Sequence, residues 1–243
     1  MRWALAFVAL AASSAQSPPL LDRVKARAQE NLQRLPDYTC TENIERLIHA
    51  DRERRLRYWD TIRLNVAYVG GKELFGVAGT GKVDDANIDK MVRGTIGNGQ
   101  FAIFVRSIFV ENRATFGHAS KTKLDGRPAF RFDYTVPAAR SGFLVRAAAA
   151  EAIVGYSGRF WVARDSLDLM RIVVSADEMP RSLGMKSHVT TTDYGRVVIG
   201  STPFLLPVRS TFDGKHFRGA EDKNITTFEH CRQFVGESVL KFQ

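Results

Sequence analysis

The alternation of apolar and polar residues within positions 152–178 constrains the fold more than any other part of the sequence. Phe160 and Val162 share one side of an extended segment, and Ile172 and Val174 share one side of the next. A short polar stretch separates the two segments. Side chains that repeat every second residue lie on one face of a β-strand. The region therefore predicts a long antiparallel hairpin that buries one of its faces.

Similar alternation recurs on both sides of this hairpin. Phe130, Phe132 and Tyr134 alternate with charged residues, and Asp125-Gly126 before them is typical of a hairpin turn. A sheet protein of 243 residues commonly forms one domain. We therefore predict one α+β domain, mainly antiparallel β, over residues 16–243. Its sheet would be curved or form an incomplete β-barrel.

Two helices are predicted to pack on this sheet. The first has apolar residues three or four positions apart and ends before Pro36. Its apolar stripe consists of Leu21, Val24, Ala28, Leu32 and Leu35. A second segment, residues 98–109, is apolar almost all round, which is typical of a buried helix. We expect it to lie across the concave face of the sheet as a plug that contains Phe101, Phe104 and Ile108.

The first 15 residues have the layout of a secretory signal peptide. Arg2 precedes a short apolar run, and the small residues Ser13-Ser14-Ala15 follow it. The run is shorter than the roughly 20 apolar residues that span a bilayer. We therefore expect cleavage after about residue 15 and export to the bacterial periplasm or the extracellular space. No transmembrane segment is expected in the mature chain.

Cys40 and Cys231 are the only cysteines in the sequence. In an exported protein, two cysteines most often form a disulfide bond. This bond would join the first predicted strand to the last. A redox or metal pair is not favoured, because Cys-x-x-Cys is absent and His230 is an isolated neighbour. The pair therefore predicts a structural disulfide.

Residues capable of catalysis or metal binding do not show the spacing of an active site. The five histidines include no pair three or four residues apart, whereas a zinc site needs three or four converging ligands. Ser157 has Gly155 two residues before it but lacks the glycine two residues after it that a nucleophile elbow needs. Asp165 and Asp168 are explained by turn formation. We predict no enzymatic activity, no metal and no cofactor, and a hydrolase is the least favoured alternative.

The formal net charge of +9 indicates attraction to anionic surfaces. Lys and Arg are scattered along the sequence, so the charge describes a generally basic exterior and predicts no nucleic-acid partner. An alternative function follows from this charge. The protein would then be an interaction or scaffold domain that acts through its basic surface on an anionic partner.

The 16 phenylalanines allow two interpretations. They form either an ordinary aromatic core or the wall of an apolar cavity for an acyl chain or a lipidated partner. In the second case the ligand-binding wall would consist of Phe130, Phe132, Tyr134, Phe160 and Val162, closed by Phe101, Phe104 and Ile108. A cavity of this kind usually encloses roughly 300–1,000 Å³.

The order of these elements resembles the periplasmic lipoprotein-carrier fold, an incomplete β-barrel whose mouth is plugged by helices. Outer-membrane lipoprotein sorting proteins share that fold. The resemblance is carried by residues 158–172, 192–197 and 204–207. Residues 37–40, 70–75 and 231–234 resemble an uncharacterised family of exported bacterial proteins, which implies no site residues. The carrier resemblance implies a non-enzymatic cell-envelope protein that binds a hydrophobic ligand or a lipidated partner.

Overall fold

The computed structural model describes residues 19–49, 55–77, 94–96, 104–147, 150–176 and 178–234. The predicted signal peptide and Phe101 of the predicted plug lie outside these residues. Helix α1 is Leu20–Gln33 and begins directly after Pro19. Shorter helical turns are Arg106–Val110, Ala138–Arg140 and Arg181–Leu183. The described part of the predicted plug is residues 104–109, which include most of the turn Arg106–Val110.

Thirteen strands occur in the described residues. In chain order they are β1 (Tyr38–His49), β2 (Arg57–Val69), β3 (Lys72–Val77), β4 (Thr115–Phe116), β5 (Ser120–Leu124), β6 (Arg127–Val136), β7 (Leu144–Ala147), β8 (Ala150–Ile153), β9 (Tyr156–Ala163), β10 (Leu169–Ala176), β11 (Met185–Ile199), β12 (Thr202–His216) and β13 (Glu221–Gln233).

Eleven of these strands form one antiparallel sheet. Its order is β3-β2-β1-β13-β12-β11-β10-β9-β6-β4, and β5 also pairs with β6. Strands β7 and β8 form a separate hairpin. The described sheet is curved and does not close, with β3 and β4 at its two ends. The predicted mainly antiparallel α+β fold with a curved sheet is therefore confirmed.

The predicted central hairpin is formed by β9 and β10. Ile172 pairs with Phe160, and Val174 pairs with Gly158. The first and last strands are also neighbours, because β1 pairs with β13 along most of its length. Cys40 and Cys231 form a disulfide bond between these two strands, as the sequence predicts.

The last strands differ from the sequence-based expectation at two places. The sequence predicts a turn at Asp213-Gly214, but both residues lie inside β12. Gly214 pairs with His188 on one side and Asp222 on the other, and these two ladders keep the chain extended. The sequence also predicts strands at residues 224–228 and 232–242. Strand β13 runs through residues 229–231 without a break, and residues 235–242 lie outside the described part of the chain. The pairing of β13 with β1 shifts register between Thr39 and Thr41 of β1 and continues on both sides of the shift.

The main hydrophobic core lies between the buried face of the sheet and the helical elements. Val24 and Ala28 of α1 are buried in it. The cluster contains six of the residues predicted to form a ligand-binding wall and its plug, namely Phe104, Ile108, Phe132, Tyr134, Phe160 and Val162. Phe130 packs against its margin.

Candidate functional site

One row of side chains runs across seven strands on the buried face of the sheet. In spatial order it consists of Ile44, Thr226, Ser210, Thr192, Ile172, Phe160 and Phe132. Each of these residues is at most 5% exposed. The row changes from hydroxyl groups to aromatic rings along its length. We call the part on β1, β13, β12 and β11 the polar half, and the part on β10, β9 and β6 the apolar half.

Aromatic rings fill the apolar half. Phe132 stacks on Phe160 with ring centroids 5.0 Å apart, and Phe109 meets Phe160 edge to face at 4.8 Å. Tyr134 lies 6.2 Å from Phe160. The structure thus brings Phe132, Tyr134, Phe160 and Val162 of the predicted wall together in one cluster with Phe104 and Ile108, and Phe130 lies at its margin. Their use as the wall of a ligand cavity stays a prediction.

A small apolar cavity lies where α1 meets the sheet, and we call it the helix groove. Its volume is about 40 Å³. The described residues that line it are Ala28, Asn31, Leu32, Leu35, Tyr38, Val105, Leu169, Tyr194, Leu205, Leu206 and Pro207. None of the predicted wall residues in the described part of the chain is among them. The apolar run 205–207 in β12 is the one sequence feature that could have indicated this groove. The sequence does not indicate that this run meets α1.

A charged cluster holds α1 to the sheet beside the helix groove. Asp168, in the turn between β9 and β10, accepts hydrogen bonds from Arg27 Nε at 2.9 Å and Asn31 Nδ2 at 3.1 Å. Arg196 of β11 donates to its other oxygen. Burial acts to raise the pKa of Asp168, but the hydrogen bonds from Arg196, Asn31 and Arg27 outweigh it and lower the pKa. The carboxylate therefore stays charged and joins three elements.

A buried carboxyl group without a hydrogen-bond partner lies next to the polar half. Glu42 of β1 is 0% exposed, and neither of its oxygens is hydrogen-bonded to any described residue. Burial, together with the nearby Glu73, raises the pKa of Glu42 from 4.5 to about 8. At neutral pH this group is therefore largely protonated. Unpaired buried groups with shifted pKa values are more frequent at functional sites than elsewhere.

Sequence reasoning missed Glu42 although a signal was present. Its side chain lies on the same face of β1 as those of Tyr38, Cys40 and Ile44, which are all buried. A charged residue in the inward register of a strand is expensive unless it is paired or neutral. The alternation itself therefore marks Glu42 as unusual.

A second cavity of about 200 Å³ has a charged rim, and we call it the arginine-rimmed cavity. The described residues that line it are Phe104, Arg106, Ser107, Glu111, Arg113, Gly142, Phe143 and Tyr156. Phe104, Phe143 and Tyr156 meet edge to face, with centroids 5.3–5.8 Å apart. Because Val105 lines the helix groove, the segment at residues 104–107 forms a wall of both cavities. Of these lining residues, only Phe104 was predicted as a site residue.

Two further findings concern the described residues as a whole. Among them, no three His, Cys, Asp or Glu side chains converge in a way that could hold a metal ion. None of the helices in the described part is both long and apolar enough to cross a bilayer.

The chain is similar in structure to several solved bacterial proteins. A LolA superfamily protein from Nitrosomonas europaea matches with a TM-score of 0.47 and 9% identity, over 92% of this chain and 97% of that one. A putative outer membrane lipoprotein-sorting protein domain from Vibrio parahaemolyticus matches with a TM-score of 0.46 and 12% identity, over 90% and 95%. A DUF1329 family protein from Desulfovibrio piger matches with a TM-score of 0.43 and 13% identity, over 90% and 93%.

These similarities concern the fold and agree with the carrier-like resemblance drawn from the sequence. No protein-family model matches the sequence, and a search of curated proteins finds no match.

Proposed function

We propose that the protein is a non-enzymatic, exported cell-envelope protein that binds the apolar chain of a lipid or of a lipidated partner in the helix groove. The lining of this groove supports the proposal. Eight of the eleven described lining residues are aliphatic, and the amide of Asn31 and the rings of Tyr38 and Tyr194 complete it. Ligand sites of this kind are mostly apolar, with a few polar groups that orient the ligand.

The disulfide bond supports the exported location. Cys40 and Cys231 are bonded to each other. Disulfides persist in oxidising compartments such as the periplasm and are rare in the reducing cytosol. A chain that encounters lipid or lipidated protein in the cell envelope has to work in such a compartment.

The helix groove has to widen before it can hold an acyl chain, because drug-sized ligands occupy sites of roughly 300–1,000 Å³. Helix α1 is the wall best suited to move, and its hydrogen bonds from Arg27 and Asn31 to Asp168 have to break when it does. Of its side chains only Val24 and Ala28 are fully buried, while Leu20, Leu21 and Leu32 are partly buried. Withdrawing one fully buried aliphatic side chain costs about 1.5–3 kcal/mol. A bound acyl chain can offset this cost by replacing the lost apolar contacts.

The experiment that tests the proposal is mass spectrometry of lipid extracted from protein purified without detergent from its natural compartment. We expect lipid in about equimolar amount. Leu205→Glu places a charge in the groove wall and should remove the bound lipid. Val198→Glu places the same charge on an exposed site of β11, where Val198 is 61% exposed, and should retain it.

Circular dichroism of both variants would verify that they remain folded. The proposal fails if the native protein carries no lipid and takes up no added lipopeptide or phospholipid. It also fails if the Leu205 and Val198 variants retain lipid equally.

A further inference from the structure

We propose that the arginine-rimmed cavity is a second binding site, which takes a compact amphipathic anion: a carboxylate or a phosphate monoester attached to a short apolar group. This site differs from the helix groove in position and chemistry. The inference therefore does not depend on the function proposed above.

The floor of the cavity is apolar. The rings of Phe104, Phe143 and Tyr156 contact one another edge to face. The ring of His188 also meets the ring of Phe143 edge to face, with centroids 5.3 Å apart. Rings fixed in this way present a pre-formed apolar surface to a ligand. The volume of about 200 Å³ is smaller than a drug-sized site and suits a group of a few carbon atoms.

The rim carries an excess of positive charge. Arg113 Nε pairs with Glu111 Oε2 at 2.6 Å, so the charge of that acid is already matched. The guanidinium of Arg106 donates to the backbone oxygen of Gly71 at 3.2 Å and has no carboxylate partner among the described residues. Its remaining donors can therefore bind an oxyanion, and hydrogen bonds between charged groups are roughly twice as strong as neutral ones.

Two hydroxyl groups add a further donor. Ser107 Oγ and the Tyr156 hydroxyl lie 2.8 Å apart, and Ser107 is buried. One hydroxyl donates to the other, so one of the two protons stays available for a ligand oxygen. Burial raises the pKa of Tyr156, although the hydrogen bond with Ser107 opposes it, and the phenol therefore keeps its proton.

The same features disfavour other ligands. An organic cation would meet two guanidinium groups, and the single acid on the rim is engaged by Arg113. A neutral alcohol would gain the aromatic floor but leave Arg106 without an anionic partner. An anion with a short apolar tail satisfies both the floor and the rim.

Isothermal titration calorimetry on the full chain tests this with four probes that share a six-carbon tail: hexanoate, hexyl phosphate, hexanol and hexylammonium. We expect one or both anions to bind at least tenfold more tightly than hexanol and hexylammonium, since a charged hydrogen bond contributes about 1.5–3 kcal/mol. The ratio of the two anion affinities identifies the headgroup. Equal affinity for hexanol and for the better anion would overturn the proposal.

Arg106→Gln keeps a donor at this position but removes the charge, and it should weaken anion binding about tenfold or more. The control is Arg146→Gln on β7, whose guanidinium pairs with Glu151 at the surface, and it should bind as the wild type does. Leu205→Glu should also leave hexanoate binding unchanged, because Leu205 lines only the helix groove. Binding that is lost in the Leu205 variant and kept in the Arg106 variant would place the anion in the other cavity and contradict the inference.

Discussion

Asp168 accepts a hydrogen bond from Arg27 at 2.9 Å although 141 residues separate them in the sequence. The first residue lies in the turn between β9 and β10, and the second lies in α1. Arg196 of β11 donates to the same carboxylate. The Asp168 side chain is only 14% exposed, so its charge is screened less by water than that of a surface pair. This carboxylate holds α1 in its observed position over the helix groove.

Asp168→Asn keeps the shape of the side chain but leaves Arg196 without an anionic partner among the described residues and Arg27 with Glu30 alone. We expect the free energy of unfolding to fall by about 1–3 kcal/mol, because hydrogen bonds to charged groups contribute about that much. Urea denaturation measures the loss. Hydrogen exchange should show reduced protection in Leu20–Gln33.

The matched control is Asp133→Asn, which disrupts a surface pair with Arg131 in which the Asp133 side chain is 56% exposed. Such pairs contribute about 0–1 kcal/mol. If the Asp168 variant were as stable as the Asp133 variant, or more stable, the proposed role of the Asp168 carboxylate would be contradicted.

Gly158 of β9 has no room for a side chain. A Cβ atom there would lie 1.9 Å from the backbone oxygen of Val173 and 3.0 Å from the hydroxyl of Tyr134. That hydroxyl donates to the same backbone oxygen at 2.9 Å. Gly158→Ala should therefore separate β9 from β10 and destabilise the protein by about 3 kcal/mol, combining steric strain with a lost buried hydrogen bond.

Thermal and urea denaturation would measure this effect. Gly117→Ala serves as the control, because its nearest atom would lie at an ordinary contact distance of 3.7 Å. If both alanine variants had the same midpoint of unfolding, the lack of space at Gly158 would have no effect on the stability of the protein.

The features of the fold that depend on neighbouring residues are the ones that the sequence predicts best. The alternation around Phe160 and Ile172 predicts their strands correctly, because the residues of a strand themselves determine which of its side chains face the core. The turn predicted at Asp213-Gly214 is wrong because pairing on both sides of β12 overrides the turn preference of that dipeptide.

The candidate sites were less accessible to prediction. The helix groove needs α1 to meet Tyr194 and Leu205, and the Asp168 cluster needs Arg27 to reach a distant turn. Contacts between residues so far apart in sequence depend on the path of the whole sheet, which no local pattern encodes. The sequence could have revealed Glu42, since it breaks the apolar register of its own strand.

The disulfide between Cys40 and Cys231 links residues 191 positions apart. Closing so long a loop restricts the unfolded chain and, in the chain-entropy model, stabilises the folded state by about 5 kcal/mol. We expect Cys40→Ser combined with Cys231→Ser to lower the free energy of unfolding by up to about this amount. Reductant should destabilise the wild type and leave the double variant unchanged, and an unchanged wild type in reductant would refute the stabilising role.

Glu42 makes the stability of the protein depend on pH. Its pKa is about 8 in the folded state against 4.5 ordinarily, so between these values the folded state holds a proton that the unfolded state has released. The free energy of unfolding should therefore be highest below about pH 4.5, fall as the pH rises, and level off above about pH 8. The slope of this contribution is at most about 1.4 kcal/mol per pH unit.

Glu42→Gln replaces the protonated acid with a neutral group of the same shape and should remove this slope. We expect the variant to match the wild type near pH 4.5 and to exceed it by about 2 kcal/mol or more at pH 8.5, as measured by urea denaturation at a series of pH values. Glu45→Gln changes an exposed residue of the same strand and should keep the wild-type slope. A slope that persists in the Glu42 variant would assign the pH dependence to other groups, because a buried glutamine cannot release a proton.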